Sequence, residues 1–168
     1  MKNFSRKTKR LILIPCDLSM LQALLEGNFE DKFSMPVADE WPSSDVKEAL
    51  PVFIEFLSTN KTEIGWGLWL IVEKSSNIVV GGVGFIGKPD KEGFVEIGYS
   101  IAPSFQRLGY ASEASRDLIL WALMFEDVVG IEARCKIENE ASCVLLKRLS
   151  FVENSRIGDE INWVLVPA

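Results

Sequence analysis

The sequence predicts an α+β fold: a central mixed, mostly antiparallel sheet of about seven strands flanked by helices. From residue 93 to 102, Val95, Ile97, Tyr99 and Ile101 alternate with Phe94, Glu96, Gly98 and Ser100, which is the period of a strand. Next come Ala111, Ala114, Leu118, Trp121, Ala122 and Phe125 at helical spacing, predicting a helix over residues 110–126. The order of the elements completes the expectation. Strands come first, then strand, helix, strand, helix, strand, strand, an order that lays helices on the faces of one mixed sheet.

The remaining elements follow the same rules. Residues 10–16 read as the first strand and 18–26 as a short helix capped by Asp17 or Ser19. Residues 32–42 read as irregular, with Pro36 and Pro42 beside Trp41. A helical pattern spans residues 43–58, and Pro51 is expected to kink or divide it. Residues 66–74 and 78–87 read as paired strands joined by Ser75-Ser76-Asn77. After the long helix, residues 131–137 form a strand, and 139–150 a second helix opened by Asn139. Residues 151–156 and 161–166 close as a hairpin around Gly158-Asp159. No repeat, low-complexity tract or long linker interrupts the 168 residues, so they read as a single domain.

Composition narrows the chemistry. Apolar residues make up 48% and charged residues 25%, as in soluble globular proteins. A net charge of −6 disfavours nucleic acid as a partner. No run approaches the roughly 18 apolar residues of a membrane span. The apolar run Leu11-Ile12-Leu13-Ile14 is too short for a signal-peptide core. Cys16, Cys135 and Cys143 show neither metal nor redox spacing, and their odd number points to reduced thiols and a cytoplasmic location.

Charge is unevenly placed. Lys2, Arg6, Lys7, Lys9 and Arg10 open the chain, whereas acidic residues dominate from Glu26 to Glu55. The acidic stretch is either solvated surface or a lure for a cationic substrate such as an amine. Histidine does not occur at all. Imidazole is therefore excluded as general base, nucleophile's partner or metal ligand, and acid–base chemistry falls to carboxylates, Tyr, Cys, Ser or the backbone. No metal site is expected.

The segment Gln106-Arg107-Leu108-Gly109-Tyr110-Ala111 joins the 93–102 strand to the long helix. Such a loop aims backbone N–H groups at one point, and the first helical turn adds its own unpaired donors and dipole. A phosphate or pyrophosphate suits that place. The loop lacks the Lys-Ser/Thr of a nucleotide P-loop and the three-glycine dinucleotide fingerprint.

The run VEIGYSIAPSFQRLGYASEA over residues 95–114 resembles the acetyl-CoA-binding motif of the GNAT acetyltransferase superfamily. NEASCVLLKRLSF, residues 139–151, resembles its second motif at the expected distance. Together with TKRLILIP near the start, the resemblance is closest to the ribosomal-protein N-terminal acetyltransferase branch and covers nearly the whole chain. It implies the GNAT-like acyl-CoA N-acyltransferase fold, with acetyl-CoA as co-substrate and an amine, protein N-terminus or small molecule, as acceptor. A homodimer is left open. The alternative is a non-catalytic module that binds acetyl-CoA as a sensor.

The resemblance also implies roles for residues. The backbone from Gln106 through Arg107, Leu108, Gly109, Tyr110 and Ala111, with Ser112, would cradle the CoA pyrophosphate. Gly109 and Ala111 would allow close approach. Tyr99, Ser100 and Ile101 would pair with the pantetheine arm where strands splay, and an N–H near Ile101 would polarise the thioester carbonyl. Asn139 would contact the cofactor or serve only as a helix cap. Glu96 is the candidate base, acting through water, or else an exposed strand carboxylate in a salt bridge. Glu113 is expected to be structural, a favourable charge at a helix N-terminus.

Leu146 stands where many members carry a Tyr acid, so Ser142 is the candidate donor, or else only an N3 cap residue. Ser150 replaces a Gly before Phe151, which concerns local turn geometry. An acyl-cysteine route through Cys135 or Cys143 lacks a cationic activator. Trp41, Trp66 and Trp69 would either line an acceptor pocket or pack the core.

Overall fold

A computed structural model describes residues 4–168; Lys2 of the basic run lies outside them. The elements are β1 (Arg6–Lys7), β2 (Leu11–Pro15), α1 (Leu18–Glu26), α2 (Phe29–Phe33), α3 (Ser44–Thr59), β3 (Leu68–Glu73) and β4 (Ile78–Phe85). They continue with β5 (Phe94–Ile101), α4 (Tyr110–Ala122), β6 (Gly130–Lys136), α5 (Glu140–Arg148), β7 (Val152–Ile157) and β8 (Glu160–Leu165). The sheet has eight strands in the order β1-β2-β3-β4-β5-β6-β8-β7, one more than the sequence suggests. The addition is the two-residue β1, too short for any periodicity to reveal.

Each face of the sheet has its own core. On one, α4 and α5 cover Trp69, Ile71, Val83, Val95, Ile97 and Ile131 with Ala114, Leu118, Leu146 and Leu149. On the other, α1 and α3 cover Leu68, Leu70, Val72 and Val79 with Leu21, Leu24, Leu50 and Leu57. Trp66 and Trp69 belong to the first core and Trp41 to the second, all at most 5% exposed, so none of the three lines an acceptor pocket.

Other local expectations are met or corrected in kind. The Asp17 side chain, not Ser19, caps α1 by accepting from the Met20 N–H at 2.9 Å. The stretch expected to be irregular begins inside α2, and Val37 bridges to Val79. Pro51 does not divide α3, which runs unbroken from Ser44 to Thr59. An interior proline costs about 3 kcal/mol. Burying Leu50 and Leu57 contributes about 1.5–3 kcal/mol each, which suffices to offset it. The long helix ends at Ala122, four residues before the expected 126.

One feature of the sheet positions the site. Strands β5 and β6 are parallel and pair only at Phe94–Gly130, Val95–Ile131 and Glu96–Glu132. Beyond Glu96, β5 continues against β4 to Ile101, while β6 continues against β8 to Lys136. The sheet thus splits toward the carboxyl ends of a parallel pair, the place where mixed sheets take ligands. The Ile86 N–H donates to Glu96 O, and the Ala102 N–H donates to Val80 O. Even-numbered residues of β5 therefore bond β4, and the backbone groups of Tyr99 and Ile101 face the gap.

Candidate active site

The loop after β5 is built to present backbone donors. Arg107 and Gly109 both take left-handed backbone, with φ of 63° and 83°. Gly109 is the residue before α4 and offers no side-chain cap. The Glu113 N–H donates to Gly109 O at 3.0 Å, closing the first turn of α4. The N–H groups of Tyr110, Ala111 and Ser112 precede that bond and have no intrahelical acceptor. With the helix dipole behind them they form an anion site. The Gln106 side-chain amide donates to Ile101 O at 3.0 Å, tying the loop to the open edge of β5.

A network from the N-terminal segment holds the loop. Arg10 donates to Leu108 O at 2.7 Å and to Glu113 Oε2 at 2.7 Å, and its guanidinium lies 4.7 Å from the Tyr110 ring centre. Thr8 Oγ1 and the Arg10 N–H donate to Glu113 Oε1 at 2.6 and 2.8 Å. Burial alone would raise the Glu113 carboxyl, but the Thr8 and Arg10 bonds outweigh it and hold it below the ordinary glutamate value. Tyr110 Oη donates to Glu73, and hydrogen bonds from Ser76 and Tyr110 hold Glu73 low as well. The Tyr110 phenol is correspondingly raised.

A cleft of about 830 Å³ runs from this loop through the gap and out between β4, β5 and α3. Its loop half is lined by Tyr99, Ile101, Gln106, Arg107, the α4 N-terminus, Asn139, Ser142, Leu145 and Arg148. The other half is lined by Glu40, Ser43, Asp45, Val46, Phe53, Gly82, Gly84, Gly98 and Ser100. Its cations, Arg107 and Arg148, lie in the loop half, and its carboxylates, Glu40 and Asp45, in the other. One end suits an anion and the other an ammonium.

The expected site residues divide accordingly. Tyr99, Ser100, Ile101, Gln106, Arg107, Gly109, Tyr110, Ala111, Ser112, Asn139 and Ser142 all line the cleft. Leu108 does not; it contributes the carbonyl that Arg10 grips. Asn139 is a helix cap, accepting from the Ser142 N–H at 3.1 Å, and still faces the cleft. Ser142 is thus the N3 residue of α5 with its side chain on the cleft wall.

Glu96 lies apart from the cleft. It forms a bidentate pair with Arg134, Nε to Oε1 at 2.8 Å and Nη2 to Oε2 at 2.9 Å. The pair lines a second, polar groove of about 390 Å³ with Glu132, Asn154 and Asn162, next along the same face of β5. Arg134 is a partner no local sequence spacing indicates, since the two residues meet only across the parallel β5–β6 pair.

Leu146 is 1% exposed and packs in the core, whereas Leu145 reaches the cleft. The phenol of Tyr99 is pushed up to about 12 by burial, against the opposing effect of the Ser142 hydroxyl. Sequence reasoning named only the backbone of Tyr99 and missed this side chain. Cys135 and Cys143 stand with sulfurs 3.6 Å apart, and the Trp163 N–H donates to Cys135. Burial raises the Cys135 thiol, which leaves it a poor nucleophile. Among the described residues, no helix is long and apolar enough to cross a membrane.

Known proteins share this fold. The model of the acetyltransferase (GNAT) domain matches residues 10–152. The uncharacterized N-acetyltransferase YjdG of Bacillus subtilis is 38% identical over 162 residues, 95% of this chain and 96% of that protein. RimL, a ribosomal L7/L12 α-N-protein acetyltransferase solved with coenzyme A, superposes with a TM-score of 0.68 at 19% identity, over 95% of each chain. The ribosomal-protein-S5-alanine acetyltransferase of Vibrio fischeri superposes with a TM-score of 0.68 at 17% identity, over 98% of this chain and 97% of that one. The family model over most of the chain and the 38% identity to YjdG show that the chain belongs to the GNAT family as an acetyl-CoA-dependent N-acetyltransferase.

Proposed function

We propose that the enzyme transfers acetyl directly from acetyl-CoA to a primary amine, a protein N-terminus or a small amine, held at the acidic end of the cleft. The observation that carries this reading is the open edge of β5 beside the Gln106–Ser112 loop. The pyrophosphate takes the N–H groups of that loop and of the first turn of α4, with Arg107 and Arg148 nearby. The pantetheine arm lies along Tyr99–Ile101 as a surrogate strand, bonding the backbone groups that β6 leaves unpaired. An N–H at Ile101 then faces the thioester carbonyl and stabilises the oxyanion as it forms.

The amine arrives as an ammonium with a pKa of about 8–10 and must lose a proton before it attacks. Glu40 and Asp45 favour its entry. Glu96, in the adjoining groove, accepts the proton through intervening water, and Arg134 fixes the direction of its carboxylate. The amine nitrogen bonds the carbonyl carbon, the carbon–sulfur bond breaks, and Ser142 on the cleft wall supplies the proton to the departing thiolate. The nitrogen sheds its second proton as the amide forms, and that proton restores Ser142 through the hydroxyl of Tyr99, whose raised phenol ends the cycle protonated as it began.

Two measurements test this. Calorimetry should show acetyl-CoA binding in strong preference to ATP; preference for ATP removes the donor assignment. Thiol release should be measured across peptides with free N-termini, polyamines and aminoglycosides, and turnover with none of them removes the acceptor assignment. In Glu96→Gln, kcat should fall by about 10²–10⁴ with cofactor affinity retained.

A further inference from the structure

Of the twelve glycines in the chain, Gly98 is the one outside left-handed backbone where an added Cβ would meet no atom of the protein within 4 Å. Others sit at positive φ, where a Cβ is strained, as at Gly27, Gly87, Gly93, Gly109 and Gly158. Others touch neighbours. A Cβ at Gly84, the cross-strand partner of Gly98, would stand 2.3 Å from Gly67 O, and one at Gly82 would stand 2.9 Å from Leu68. A Cβ at Gly98 meets no atom within 4 Å, and its φ is ordinary. Its pairing with β4 is in unbroken register from Ile97 to Ile101, so no bulge accounts for it.

Glycine in the middle of a strand is unfavourable, and it recurs where a bulge forms or where another molecule approaches the backbone. With bulge, backbone conformation and packing excluded, approach of a ligand remains. The open space is on the face of β5 that also carries Glu96 and Ser100, where Ser100 Oγ lies 3.4 Å from Ser43 Oγ. Glu96 and Ser100 stand roughly 13 Å apart along the strand, leaving a bare lane between a charged pair and a hydroxyl pair. The lane opens into the acidic half of the cleft. The backbone edge of Tyr99 begins one residue on.

We propose that Gly98 is a specificity-determining position: it keeps bare the wall over which the acceptor amine reaches the thioester. The proposal rests on the donor and acceptor placement given under Proposed function. A side chain there would fill space that the acceptor needs and disturb nothing that the fold needs.

The test is the pair Gly98→Ala and Gly98→Val, measured with the amine that wild type acetylates fastest in the panel above. Acceptor kcat/KM should fall on the order of tenfold or more for Val and less for Ala, because each added methyl occupies acceptor volume. Acetyl-CoA affinity by calorimetry should stay within about twofold, below the tenfold that 1.4 kcal/mol represents. Melting temperature should hold or rise, since Val suits a strand better than Gly. A lowered melting temperature overturns the proposal, because Gly98 would then serve the fold. Unchanged amine kinetics overturn it too. Wild type that acetylates no amine of the panel sinks it along with the acceptor assignment. Loss of acetyl-CoA binding in wild type is a separate result that strikes the donor assignment.

Discussion

Two residues in the anion loop spend backbone strain on aiming its N–H groups, and Gly109 does so at low cost. Its φ of 83° is open to glycine, and a Cβ there would stand 3.3 Å from Arg10 Nη2. Gly109→Ala should therefore lose about 1–2 kcal/mol of stability from left-handed backbone alone. Acetyl-CoA affinity should fall with it as the loop shifts, and calorimetry beside thermal melting checks both; an unaltered Kd would take Gly109 out of the binding loop. Arg107, at φ 63°, bears the same strain without the excuse of lacking a Cβ. Backbone strain of this kind collects where ligands bind.

The chain has two tyrosines, and both titrate above the ordinary phenol value of 10.0, Tyr99 through burial and Tyr110 through its bond to Glu73. A raised phenol contributes stability fully below the unfolded value and loses it as pH climbs through the folded one. At pH 10 the folded protein should show less than half of the tyrosinate absorbance of the protein unfolded in guanidinium. Equal absorbance would mean that neither phenol is held.

Among the elements, α4 is positioned from far away in sequence. Glu113 in its first turn takes three bonds from Thr8 and Arg10, and Arg6 pairs with Asp117 at 2.5 Å. The expectation that Glu113 serves structure by favouring a helix N-terminus is right in kind and too local in its reason. Glu113→Gln should cost about 1–3 kcal/mol, because it weakens charged hydrogen bonds in a partly buried network. Its depressed carboxyl makes the sign definite. The stabilisation is complete above the ordinary value of 4.5 and is lost as pH falls below it through the folded value. The gap in melting temperature between wild type and Glu113→Gln should be full at neutral pH and close on acidification below 4.5. A gap independent of pH would assign the loss to packing instead.

What the sequence made legible at this scale follows from how local each cause is. The β5 alternation, the α4 stripe, the Asn139 cap and the Gly158 hairpin are written within a few residues, and each is found where expected except the end of the stripe, since α4 stops at Ala122 before Phe125. The unbroken α3 is not, because Pro51 is a local signal overruled by burial of Leu50 and Leu57 against distant elements. The Glu96–Arg134 pair and the clamp of Arg10 on the loop were also hidden. Their partners are 38 and 98 residues apart, brought together only by the fold.

For the whole molecule, the sheet is continuous at both ends and open in the middle. Strands β1 to β4 extend one half and β6, β8 and β7 the other, and β5 joins them through three residue pairs before the split. An acyl-CoA arm lying in the split would repair the ladder along Tyr99–Ile101. That repair has a definite signature in amide exchange. Gly98 and Ser100 already face β4, so their N–H groups should be protected with or without ligand. The Tyr99 and Ile101 N–H groups face the gap and should exchange quickly in the free enzyme. Adding acetyl-CoA at about 100 times its Kd, which stabilises the folded state by about 2.7 kcal/mol, raises protection generally. The gain at Tyr99 and Ile101 should exceed the gain at Gly98 and Ser100, because it adds a new hydrogen bond to the global stabilisation. Equal gains at all four positions would mean that the arm does not pair with β5, and the oxyanion donor at Ile101 would have to be given up with it.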